Sequence, residues 1–220
     1  MPTFSQLKKT VLALAIFGIV SVFSSTAKAD IVVVTGVNNT GTDNVLLNPA
    51  TDVLTVTGVV GQNNLVVNFT SGSGSGLLNA NPSGQATVSG GTGNTSLTQL
   101  TFSLANNDTF TRAVFNINAS SNGSVLIHVE GINIDGGFFE DDFTVDANGQ
   151  NFFTVTAING QLITSISLTA INGAAFQDVR QVRLGGSEIV ETVPEPASML
   201  LLGTGLMGIA AGVRRRFSKK

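Results

Sequence analysis

The sequence predicts an all-β body, an antiparallel β-sandwich or jelly-roll-like fold, set between an N-terminal signal peptide and a C-terminal single transmembrane helix. Three observations carry this. The chain holds 25 glycines, no cysteine, no tryptophan and no tyrosine, so every aromatic residue is Phe. With its many Asn, Thr and Ser residues, that composition favours strands and tight turns over helices. Apolar residues recur with a period of two in short runs bounded by Gly and Asn, as in half-buried strands. The two long apolar runs stand at the chain ends, each beside cations.

Residues 1–29 read as a secretory signal. Lys8 and Lys9 form its charged start, Val11 to Phe23 its apolar core, and Ala27-Lys28-Ala29 its small-x-small cleavage site. The mature chain is then expected to start at Asp30.

The body is expected over 30–185. Ile31 to Val34, Asp52 to Thr57 and Asn64 to Thr70 read as its first strands. SGSGSG at 71–76 opens a Gly/Ser/Asn-rich stretch reaching Thr95, read as long loops around one short strand at Ala86 to Ser89. Leu97 to Leu104 and Arg112 to Asn118 follow as strands. Ser124 to Glu130 puts Val125, Ile127 and Val129 on one face and Leu126, His128 and Glu130 on the other. Phe152 to Ile158 groups Phe153, Val155 and Ala157, and Leu162 to Ile171 groups Leu162, Ile166 and Leu168. TAING occurs at 156–160 and again at 169–173, each copy ending a strand in Asn-Gly. That dipeptide is a strong hairpin signal, so three meandering strands ending at Ala175 to Leu184 are expected. A domain of this size buries a sufficient core without disulfides.

Charge narrows the function. From Asp30 to Pro194 the cations are Arg112, Arg180 and Arg183 against thirteen Asp and Glu, a formal balance of −10. Such a surface repels nucleic acid and anionic lipid. No lysine remains there for Schiff-base chemistry. The single histidine, His128, has no Gly-x-Ser-x-Gly elbow to serve, and sites built from several His and Cys ligands lack the residues. His128 shares a strand face with Glu130, so the two can pair. No catalytic residue is expected. The one candidate metal site is acidic: Asp135, Glu140, Asp141, Asp142 and Asp146, read as a turn before a strand at Phe143. Hard oxygen ligands near Gly and Asn are what calcium takes, although the spacing is not that of an EF-hand. A glycosidase carboxylate pair is the weaker reading, since no Trp or Tyr platform exists.

After a linker at 186–193 comes the tail, 194–220. Val193-Pro194-Glu195-Pro196 precedes an uncharged apolar run, Ala197 to Val213, and a basic end with Arg214, Arg215, Arg216, Lys219 and Lys220. At about 1.5 Å per residue the run spans roughly 25 Å, at the short end for crossing a bilayer as a transmembrane helix. The cations hold its end in the cytoplasm and leave the body outside. The two prolines keep Glu195 in an extended joint.

This tripartite tail resembles the PEP-CTERM sorting signal of Gram-negative bacteria. The resemblance rests on Val193 to Pro196, on Gly203, Gly205, Gly208 and Gly212 in the span, and on the Arg-rich end. It implies that an exosortase-type membrane protease or transpeptidase cuts near the triplet. The precursor would sit transiently in the inner membrane and the mature form at the cell surface or outside. The resemblance also implies a setting of biofilm and extracellular polysaccharide. Two function classes follow: a non-enzymatic surface or matrix protein, and a secreted carbohydrate-binding or carbohydrate-active domain. The absence of Trp, Tyr and Cys from the chain, and of Lys from the body, favours the first.

Overall fold

The computed structural model describes residues 30–187, apart from 62–63, 73–74, 84–85, 94–95, 135–136 and 148. The expected signal peptide, the linker beyond 187 and the tail lie outside the described residues. No described helix is long and apolar enough to cross a membrane.

The strands are β1 Asp30–Thr35, β2 Asp43–Asn44, β3 Leu46–Leu47, β4 Ala50–Val53, β5 Thr55–Val60, β6 Leu65–Ser71, β7 Leu78–Asn81 and β8 Thr87–Gly90. They continue with β9 Gln99–Leu104, β10 Arg112–Ser121, β11 Gly123–Ile132, β12 Phe138–Val145, β13 Asn151–Ile158, β14 Leu162–Ile171 and β15 Ala175–Gly185. One sheet has the order β1-β13-β10-β15-β8-β7-β4, with β2 beside β15; the other has β12-β11-β14-β9-β6-β5-β3. All strand ladders are antiparallel. This is the expected antiparallel sandwich.

Alternation along each strand builds the core. Val56 and Val60 of β5, Leu65, Val67 and Phe69 of β6, and Leu100, Phe102 and Leu104 of β9 are buried from one sheet. Ala113, Phe115, Ile117, Phe153 and Val155 are buried from the other. Five Phe rings stitch the layers together. Phe69 meets Phe102 at 5.8 Å, Phe102 meets Phe115 at 5.6 Å, Phe115 meets Phe153 at 5.7 Å, and Phe153 meets Phe143 at 5.6 Å. The Phe102–Phe115 and Phe153–Phe143 contacts cross between sheets. As expected, Val125, Ile127 and Val129 face inward together.

Several local expectations are corrected. The two Asn-Gly turns form, with positive φ at Asn159, Gly160, Asn172 and Gly173. Gln161 N–H donates to Ile158 C=O at 3.2 Å, and Ala174 N–H to Ile171 C=O at 3.0 Å. Yet β13, β14 and β15 are not a meander, because β14 lies in the opposite sheet. Both sides of β13 are taken by β1 and β10, so the chain leaving the turn crosses to the other layer. In β14 it is Ile163, not Leu162, that joins Ile166 and Leu168 inside. A register shift against Glu130/Gly131 changes the side that faces the core.

Asp52 to Thr57 is two strands, not one. Asp52 has φ 53°, and the chain passes from β4 in one sheet to β5 in the other. The Gly/Ser-rich stretch 71–95 also holds more structure than composition suggests, because β7 and β8 pair there. Buried Ser75 fastens the start of this stretch: Gln99 N–H donates to its Oγ at 2.6 Å, and its hydroxyl donates to Gln99 C=O at 2.8 Å.

Candidate functional site

The acidic segment is a strand and not a turn. β12 forms the edge of its sheet and pairs in full register with β11. Strand alternation sends Glu140 and Asp142 to the face of Phe138, and Asp141 to the side of Phe139 and Phe143. Asp146 lies past the strand end, where its N–H donates to Asn151 Oδ1 at 2.9 Å and its C=O accepts from Asn151 Nδ2 at 3.0 Å. Asp135 lies outside the described residues. Among the described residues no group of three or more His, Asp or Glu is arranged to hold a metal ion.

The sheet does bring His128 and its carboxylates together. His128 Nε2 stands 3.6 Å from Glu130 Oε1, the pair foreseen from the shared strand face. The closer contact was not foreseen: Glu140 of β12, directly opposite in register, places Oε2 at 2.9 Å from His128 Nδ1. Phe138 stacks on the imidazole with ring centroids 4.9 Å apart. Ser165 donates to Glu130 Oε2 at 3.3 Å. Every one of these groups is at least partly open to solvent, so the cluster is a solvated polar network with a fixed ring orientation.

A second locus lies beside β15 of the opposite sheet, where β3 borders it. A cleft of about 370 Å³ is lined by Asn44, Leu46, Pro82, Ala86, Gln181 and Val182, among others. A neighbouring hollow of about 150 Å³ shares Asn44 and Gln181 and adds Asn39, Phe152 and Arg183. Gln181 organises both. It holds φ 55° where the β10–β15 register shifts, so its backbone is left-handed at a non-glycine residue. Its Oε1 is buried without a hydrogen-bond partner. Arg183 is committed instead to the loop over the hollow, through Nε to Thr42 Oγ1 (3.1 Å), Nη1 to Asn44 Oδ1 (2.6 Å) and Nη2 to Thr42 C=O (2.8 Å). Sequence reasoning missed this locus. Its residues come from five segments distant in sequence, and nothing local marks Gln181 in QDVRQVRLGG. The chemistry on offer is amide donors and acceptors, one aromatic residue and the Arg183 guanidinium.

All three cations of the body lie on adjacent strands of this sheet, Arg112 on β10 and Arg180 and Arg183 on β15. Arg180 is paired with Asp178, Nε to Oδ1 at 2.6 Å and Nη2 to Oδ2 at 3.0 Å. The acids Glu130, Glu140, Asp141 and Asp142 belong to the other sheet.

No curated protein matches the chain in sequence. Two solved structures are similar. One is CBM29_1, a family 29 carbohydrate binding module from Piromyces equi, at 13% identity and a TM-score of 0.29, over 75% of this chain and 95% of that one. The other is a mutant of CBM29-2 from a study of ligand recognition by family 29 carbohydrate binding modules, at 13% identity and a TM-score of 0.27, over 75% of this chain and 100% of that one. At such TM-scores the likeness carries no argument about this chain. The tail is different. The model of the PEP-CTERM protein-sorting motif matches residues 192–216, the stretch that holds the Pro-Glu-Pro triplet, the apolar run and Arg214 to Arg216. That motif implies an exported protein handled by an exosortase, and the chain accordingly carries a PEP-CTERM protein-sorting motif at 192–216, following in sequence a body that forms a β-sandwich.

Proposed function

We propose that the protein is a non-enzymatic surface or extracellular-matrix component. Its tail is cut by an exosortase-type membrane protease, and its acidic body comes to rest among exported polysaccharide. The single observation that carries this reading is the match of residues 192–216 to the sorting motif. In this reading Pro194 and Pro196 keep Glu195 extended and out of the following helix, in a form a protease can grip. Arg214 to Arg216 orient the span so that the triplet faces the side where the body lies. Residues 1–29 export the chain, 30–185 form the displayed body, 186–193 link it, and 197–213 hold the precursor in the inner membrane until it is cut.

The test is replacement of Pro194-Glu195-Pro196 by three alanines, followed by fractionation and intact-mass measurement. The variant is expected to stay in the inner membrane at the mass of the tail-bearing form. Equal mature mass and equal location for variant and parent would refute sorting.

A second reading, a carbohydrate-binding domain, is supported by the cleft at Asn44 and Gln181. Gln181→Gly keeps the left-handed backbone and removes the amide. Under this reading it abolishes polysaccharide binding measured on an array; unchanged binding rules out the cleft.

A further inference from the structure

A sandwich has open edges, and each edge offers unpaired backbone groups to another strand unless something blocks it. Here the four edges are β1, β4, β12 and β3. Three carry a block. β12 holds Glu140, Asp141 and Asp142 in succession. β3 is two residues long. β4 is four residues long, is bent by the left-handed Asp52 and shifts register against β7. β1 carries none of these. It runs six residues, pairs with β13 in unbroken register, and has no charge or proline from Ile31 to Thr35. Val32 and Val34, on its outer face, are 41% and 48% exposed. Among the described residues nothing pairs with its other side.

The free edge can be read group by group. Gly36 N–H donates to Phe152 C=O at 2.8 Å, one step past the Thr35–Phe153 register pair. Antiparallel alternation therefore turns the backbone of Val32 and Val34 toward β13, and aims N–H and C=O of Ile31, Val33 and Thr35 at the open side. We propose that this edge pairs antiparallel with the same strand of a second copy of the chain, about a two-fold axis at Val33. That register sets Val33 against the partner's Val33 and Ile31 against the partner's Thr35. It satisfies every edge-facing group of both strands, in about six hydrogen bonds. Val32 then meets the partner's Val34 in close non-hydrogen-bonded pairs, which covers the exposed valines of both chains. Asp30, the one ionisable residue of the strand, registers against the partner's Gly36, so no like charges face each other. Self-complementarity in hydrogen bonds, side chains and charge is why the occupant is a second copy.

The absence of cysteine from the chain makes the test clean. Full-length chains carrying Val32→Cys and Val34→Cys are co-expressed, and exported material is run on a non-reducing gel. In the proposed register the two cysteines face each other at a Cα separation of about 4.5 Å, within disulfide reach. Each variant alone has only diagonal neighbours at about 7–8 Å. The expected result is a covalent dimer from the mixture, and none from either variant alone or from Val66→Cys, which is exposed on an interior strand of the other sheet. Val33→Pro should abolish the dimer while leaving the β13 ladder whole, because the Val33 N–H points outward. No covalent dimer from the mixture, equal dimer from the single variants, or cross-linking to a different protein overturns the proposal.

Discussion

Phe102→Ala tests whether the two sheets share one packed core. Phe102 is fully buried on β9, touches Phe69 in its own sheet, and reaches Phe115 in the other at 5.6 Å with the rings near perpendicular. Truncating a buried Phe costs about 3–5 kcal/mol through lost transfer energy and a residual cavity. Each aromatic contact adds about 0.5–1.5 kcal/mol beyond burial. Two such contacts place Phe102 at the upper end, about 4–5 kcal/mol. That is a large share of the roughly 5–15 kcal/mol expected for a domain. With a urea dependence of about 2 kcal/mol per molar, the midpoint should fall by about 2 M. Urea unfolding of the body should be followed by circular dichroism, since the chain has no Trp or Tyr to give a fluorescence signal. Phe138→Ala is the control, because Phe138 is 52% exposed and packs on His128; it should cost under about 1 kcal/mol. A cost below about 1 kcal/mol for Phe102→Ala, or equal costs for the two variants, would refute a shared core bridged at that ring.

Two further outcomes follow from local geometry. Asn172 sits at φ 52° in its turn, so Asn172→Ala should cost about 1–2 kcal/mol in thermal or urea unfolding, and Asn172→Gly should be close to neutral. Any calcium-dependent rise in melting temperature that rests on β12 should be lost in only one of Asp141→Asn and Asp142→Asn, because the strand turns these two carboxylates to opposite sides; equal loss in both would mean that the strand alternation does not govern the site.

By itself the sequence determined whatever depends on neighbours along the chain. Period-two alternation named the inward residues of β11 and β13, and Asn-Gly marked both tight turns, because these are local steric and burial preferences. The tail was legible for the same reason, since its triplet, apolar run and arginines are contiguous. Pairing between distant segments was decided only by the tertiary structure. Whether β14 continues a hairpin or crosses to the other layer depends on both flanks of β13 being occupied, which no residue near Asn159 encodes. The bulge that buries Ile163 in place of Leu162 exists only against β11. Glu140 became the partner of His128 because β12 lies beside β11 in that register. The Gln181 cleft gathers segments that hold no common motif. A β-sheet is closed by long-range backbone hydrogen bonds that are chemically alike for every residue, so the sequence marks where strands run and leaves their partners to the packing of the whole domain.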